Sequence, residues 1–281
     1  MRKTVPLLAS LAMTMVSLCV APHATAHGEL HARIERLSSR IESTPHDVEL
    51  LFTRAELHRL HADPIAALLD LERASTLAPD HVELHAGRAR THLDRGALAD
   101  AIAAADRWIS LAPTDLGARR VRALIHVARG DVDAADADYE AACVLPSPPP
   151  PDVWIERARM LADATEAAEK ERALQVIDRG IERLGPVVSL ELEAITLERS
   201  AGRIEAALAR IDAITDRVDR KEPWLARRGD VLADAGRIDE ARAAYRTALD
   251  AFQTLSRKRR STASARELQA HLRTRLQEFR P

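Results

Sequence analysis

Three histidines stand at one fixed interval: His58, His92 and His126 are 34 residues apart. Imidazole is the side chain whose ordinary pKa lies near neutrality, so such a row could ligate a metal or gain charge below about pH 6.5. Metal–nitrogen bonds are about 2 Å long, whereas equivalent points on packed helices lie about 10 Å apart. The row therefore cannot share one ion: it reads as repeat packing by half-buried imidazoles, the functional alternative being a row that gains charge in acid and loosens the N-terminal half. His27 and His31 are four apart, as are His81 and His85, a spacing that puts each pair on one helix face. If the chain is cut after Ala26, His27 offers an α-amine and an imidazole, nitrogen ligands that suit copper(II). That motivates one function, an exported metal-handling (copper or zinc) protein using its N-terminal histidines.

Little else in the chain has the spacing of catalytic chemistry. HGELH, His27 to His31, lacks the metalloprotease spacing, and there is no phosphate loop and no nucleophile elbow. Cys143, in the alanine-rich AACVL, reads as a small buried hydrophobe. The expectation is a protein that is not an enzyme and takes no cofactor.

The first residues read as a leader. Arg2 and Lys3 precede an uncharged apolar run from Val5 to Val20, and Ala24-Thr25-Ala26 supplies small residues for cleavage. The run is short for a spanning helix, which needs ~20 apolar residues. The expectation is export to the periplasm or outside the cell, starting at His27, with no stable membrane span. Without Arg2 and Lys3 the chain keeps 39 basic against 43 acidic groups, a net of −4. Such a balance argues against non-specific nucleic-acid binding. Cys19 would leave with the leader, so Cys143 would have no disulfide partner.

The elements that hold these residues are helical. Aromatics are only 3% of the chain while charged residues are 30%, a composition for amphipathic helices. The stretch AGRIDEARAAYRTAL, Ala235 to Leu249, recurs in kind: Ala67, Ala101 and Ala135 are 34 apart, as are Pro79 and Pro113, and Gly202 and Gly236. Each copy follows a second helical pattern, such as VELLFTRAELHRL or DVWIERARMLA. Each unit is thus helix–turn–helix with a period of 34, and stacked units share a core that one pair cannot build alone.

In period and layout this resembles the tetratricopeptide repeat family, over residues 48 to 254 or so. The resemblance implies a small residue midway along each first helix, matched by Ala55, Ala89, Ala123, Ala158 and Gly229. It implies another early in each second helix, matched by Ala67, Ala101, Ala135, Ala173, Ala207 and Ala241. Trp154, Leu51 and Leu225 match the first aromatic position; Trp108 and Ile195 depart from the pattern, and about three extra residues fall near 164–169.

The expected architecture is all-α: a right-handed α-solenoid of about six helix–turn–helix repeats with a capping helix at each end. Its parts are a signal peptide (1–26), an N-terminal capping helix (27–47), three units (48–147), a proline-rich turn (148–151), three more units (152–255) and a C-terminal cap (256–281). Leu30, Ile34, Leu37 and Ile41 form the apolar stripe of the first cap. Leu268, Leu272, Leu276 and Phe279 form that of the second, with Ser264 and Glu267 as its capping box.

The family likeness also implies function: a scaffold that binds a polypeptide segment on the concave face lined by first helices, which the leader would place in the cell envelope. The residues of that face would include Glu49, Phe52, Glu56, Arg59, Arg90, Arg120, Leu124, Ile155, Arg159, Arg199, Arg227 and Asp230. Arginine forks suit carboxylates, so Arg120 and Arg159 are the expected hold on an acidic side chain or C-terminus. The chain has no asparagine, so the asparagine–lysine clamp of the family's chaperone-binding members is absent.

Overall fold

The computed structural model describes residues 23–145, 147–163 and 167–279. The expected leader lies outside them as far as residue 22. All regular structure among the described residues is helical, in two units, Met1–Ala97 and Leu98–Pro281.

The first unit holds α1 (His23–Ser43), α2 (Val48–Leu60), α3 (Pro64–Leu77) and α4 (Val82–Asp94). Asp47 and Asp63 start α2 and α3 by accepting hydrogen bonds from the backbone N–H groups of Leu50 and Ala66, both at 3.0 Å. Pro64 follows Asp63 at the first helical position, where its missing N–H costs nothing. The turn between these helices needs a left-handed residue, and Ala62 supplies it at φ 61° where later repeats use glycine. Leu51, Ala55, Ala67, Leu71 and Leu84 are buried together, and Ile41 of α1 closes that core with Leu37 beside it.

The second unit holds α5 (Leu98–Leu111), α6 (Leu116–Arg129), α7 (Val132–Cys143), α8 (Pro151–Ala162), α9 (Ala167–Leu184), α10 (Val188–Ser200) and α11 (Ile204–Arg217). It continues with α12 (Glu222–Asp234), α13 (Ile238–Thr254), the single turn α14 (Arg257–Arg260) and α15 (Ala263–Glu278). Extended Pro150 leads into Pro151, the first residue of α8. Two cores follow each other along the unit. One gathers Tyr139, Trp154, Leu161, Ile177 and Leu190; the next gathers Ile211, Trp224, Leu232, Tyr245 and Leu272.

Small residues set how closely the paired helices approach. Ala55, Ala89, Ala123 and Ala158 are buried, as are the six early alanines of the second helices. Gly229 goes further: a methyl group there would sit 2.6 Å from Cδ1 of Tyr245. In the fourth repeat Gly180, seven residues after Ala173, leaves room for the Trp154 ring, which lies 3.1 Å from where its Cβ would be. Ile195 is accommodated in the midway slot, buried, as part of the last core. Trp108 is held by Asp115, which accepts its indole N–H at 2.9 Å and also caps α6 through the Gly117 N–H at 2.7 Å.

One local expectation is corrected. Thr262, not Ser264, caps the last helix, accepting from the Ala265 N–H at 3.3 Å. The run Arg257–Arg260 forms a turn of its own, capped by Ser256. Leu272 is fully buried, with Leu268, Leu276 and Phe279 packed around the same core.

Candidate functional site

In five of the six repeats an arginine directly precedes the small crossing residue: Arg54, Arg88, Arg122, Arg157 and Arg228. Arg54 grips Asp70 of its own second helix through two bonds of 2.6 and 2.7 Å. Arg122 repeats this with Asp138, at 2.6 and 2.8 Å, and adds Asp106 of the preceding repeat. Arg157 is buried and binds Asp136, at 2.7 Å, and Glu140, while Arg172 of α9 reaches the same Asp136 at 2.5 Å. The fifth repeat has Ala194 in that slot and inverts the charges. There Glu191 and Glu198 of α10 are the buried partners, met by Arg210 and Arg217 of α11. Arg54, Arg122, Arg157, Arg210 and Arg217 are thus spent on carboxylates within the chain.

Most residues expected on the binding face are committed in the same way. In the first unit Arg59 bridges Glu56 (3.1 Å) and Asp94 (2.9 Å), and Arg90 lies 3.3 Å from Glu56. In the second, Arg120 binds Glu156 at 2.5 and 2.8 Å with Asp152 at 3.1 Å. Arg159 binds Glu193 at 2.7 and 2.9 Å, and Arg199 lies 3.3 Å from Asp234. Arg120 and Arg159, expected to hold a partner's carboxylate, thus already hold one from the next repeat. The reason is geometric: stacking sets successive first helices side by side, so a cation on one meets an acid some 34 to 36 residues on. Asp230 is turned toward the C-terminal helix, accepting from the Tyr245 hydroxyl at 2.8 Å and standing 2.9 Å from His271 Nε2. Leu124 is 37% exposed, and Ile155 is partly buried against the Trp154 core.

Arg227 differs from these. Its guanidinium makes no hydrogen bond or ion pair among the described residues. It borders a cleft of ~310 Å³ between α10 and α12, walled by Val188, Leu192, Pro223 and Trp224. Val188 is 59% exposed despite being apolar. Arg220, at the rim, is held by Glu222 at 2.6 Å. The cleft combines apolar walls with one uncommitted cation, the combination that receives an apolar group beside a carboxylate. Sequence reasoning named Arg227 but missed Val188, Leu192 and Trp224. The signal was available in Trp224 itself, one residue before the Leu225 assigned to the aromatic slot.

The histidines do not converge. His31 lies 3.3 Å from Glu35, its ring 6.2 Å from that of His61. His81 lies between Glu49 and Glu83. No cluster of three or more metal-ligating side chains is present among the described residues, which do not include the His27 side chain. Burial lowers the pKa of His58 below its ordinary value against an opposing pull from Asp70. Burial pushes the Cys143 thiol up to about 11, away from thiolate chemistry.

Residues 154–266 match a family model described as a tetratricopeptide repeat-like domain, and residues 45–115 match one described as a tetratricopeptide repeat. No curated protein matches the chain. Among solved structures it is similar to a tetratricopeptide repeat protein from Parabacteroides merdae, at 14% identity over 89% of this chain and 95% of that one, TM-score 0.51. It is similar also to PilW, a type IV pilus biogenesis factor, at 16% identity over 69% of this chain and 89% of that one, TM-score 0.53. A chain of the Naa15/Naa10 complex with HypK matches at 14% identity and TM-score 0.51, over 91% of this chain but 39% of that one. At such identities the likeness is one of fold.

Proposed function

The chain belongs to the tetratricopeptide repeat family, whose fold serves protein–protein interaction, and from that premise we propose that it is a non-enzymatic scaffold of the cell envelope. It is exported by its leader and binds a polypeptide segment on its first-helix face. The segment sets an apolar side chain against Val188, Leu192 and Trp224 and a carboxylate on Arg227. One observation carries this reading: Arg227 is uncommitted beside an apolar cleft, whereas Arg120, Arg159 and Arg199 are each neutralised from within.

The test is selection of peptides from a random library on the full chain, followed by affinity measurements on variants. Peptides with an apolar residue next to an acid or a free C-terminus should be enriched. Arg227→Ala should weaken them by ~10- to 100-fold, the loss of one charge-assisted contact. Arg246→Ala, an exposed cation on the second helix α13, should change nothing. Equal losses in the two variants would place the segment elsewhere. Export is tested separately, by the intact mass of the secreted protein, which should begin at His27.

A further inference from the structure

The chain as a whole carries a net charge of −2, yet the stretch from Ser256 to Gln277 holds seven cationic side chains against one acid, Glu267. Its local net charge is thus +6. Arginines elsewhere in the second unit are largely spent on carboxylates, as the repeat pairs show. Here they are not. Arg257, Lys258, Arg259 and Arg260 of α14, with Arg266 and Arg273 on α15, are exposed, and their side chains make no hydrogen bond or ion pair among the described residues. Six uncompensated cations within seventeen residues repel one another, so this corner is stabilised by whatever anion approaches it.

We infer that this corner is an electrostatic contact surface for an anionic phospholipid bilayer. Three features select that class of partner. The four residues of one helical turn point about 100° apart, so their side chains fan outward and cannot track a single groove. A planar field of phosphates is reached by such a fan through long flexible stems, with arginine forks on phosphate oxygens. No Phe, Tyr or Trp is interleaved with the cations, and the one ring among them, His271, is turned onto Tyr245, which removes the stacking platform that single-stranded nucleic acid uses. None of the large apolar side chains from Ser256 onward is markedly exposed, so there is no anchor of the kind a protein interface needs. No described helix is long and apolar enough to cross a membrane. The contact is therefore peripheral and screened by salt over about 10 Å.

The experiment is co-sedimentation of the purified full chain with vesicles of phosphatidylcholine, with and without phosphatidylglycerol, at low and high salt. Binding should require phosphatidylglycerol and be lost at high salt. The variant Arg257→Gln, Lys258→Gln, Arg259→Gln, Arg260→Gln should lower partitioning by roughly 100-fold or more, from about a factor of five per cation. Arg266→Gln with Arg273→Gln leaves α14 untouched and should give a smaller loss. A control with the same change of net charge, Arg33→Gln, Arg36→Gln, Arg40→Gln, Arg129→Gln, should bind like the parent. Equal losses in the control, or binding to neutral vesicles, would overturn the inference. So would retention of a duplex oligonucleotide at salt that releases the protein from vesicles, which would assign the corner to nucleic acid.

Discussion

At Gly229 the two helices of the last repeat leave no room for a side chain, because the Tyr245 ring occupies it. Gly229→Ala should therefore overpack the crossing and cost about 1–3 kcal/mol, read as a lower urea midpoint at unchanged slope. Combining it with Tyr245→Leu removes the ring, so the double variant should lose less than the sum of the singles. Simple additivity would mean that the two residues do not share the space. A second consequence at this scale concerns acid. The folded-state pKa of His58 is lowered from 6.5, first by burial, so the unfolded chain takes up this proton at a higher pH than the folded one. As pH falls through 6.5 the unfolded state binds more protons, and stability drops until the folded value is passed. His58→Gln should make the urea midpoint fall less between neutral and mildly acid pH. An unchanged pH dependence would show that His58 is not the group responsible.

At the scale of elements, the helix pairs were readable because their rules are local. Aspartates precede first turns, glycines hold the left-handed turns at φ near +70°, and alanines recur at the crossings. The arginine before the small residue was equally periodic in the sequence, but its meaning was not readable there. Its partner lies 16 residues on in α3 and α7, but 21 residues back for Arg157. Only the stacked geometry decides which acid it meets. Arg157 is the most buried of these cations, and Asp136 and Glu140 are left facing Arg172 and Arg179 without it. Arg157→Met should destabilise the protein by about 3 kcal/mol, the low end for a broken buried pair because other cations remain. Replacing Arg157 and Asp136 together by apolar residues should cost less than that. If Arg157→Met alone is neutral in urea unfolding, the network contributes solubility and not cohesion.

Over the whole molecule, the fold class followed from one number, the period of 34, since a repeat that cannot bury its own apolar face must stack. The proposed partner face was only half readable. Which side of a first helix is presented follows from phase, but which of its charges stay free depends on the acids of the adjacent repeat, so Arg227 could not be told from Arg159. The same one-dimensional logic predicts how damage spreads within Leu98–Pro281. Its two cores follow one another, one centred on Trp154 and the other on Tyr245, with Leu272 of α15 fully buried in the second. Leu272→Ala should remove about 2–5 kcal/mol from that second core alone. If stability is a sum over repeats and their neighbours, the loss is felt where contacts were lost. Amide hydrogen exchange should then quicken in α12, α13 and α15 while α6, α7 and α8 keep their protection. A uniform loss of protection from α5 to α15 would mean that the unit opens as one body. The cleft at Arg227 would then share its stability with every repeat of the unit, and the C-terminal helix would control the proposed binding face as well as close the stack.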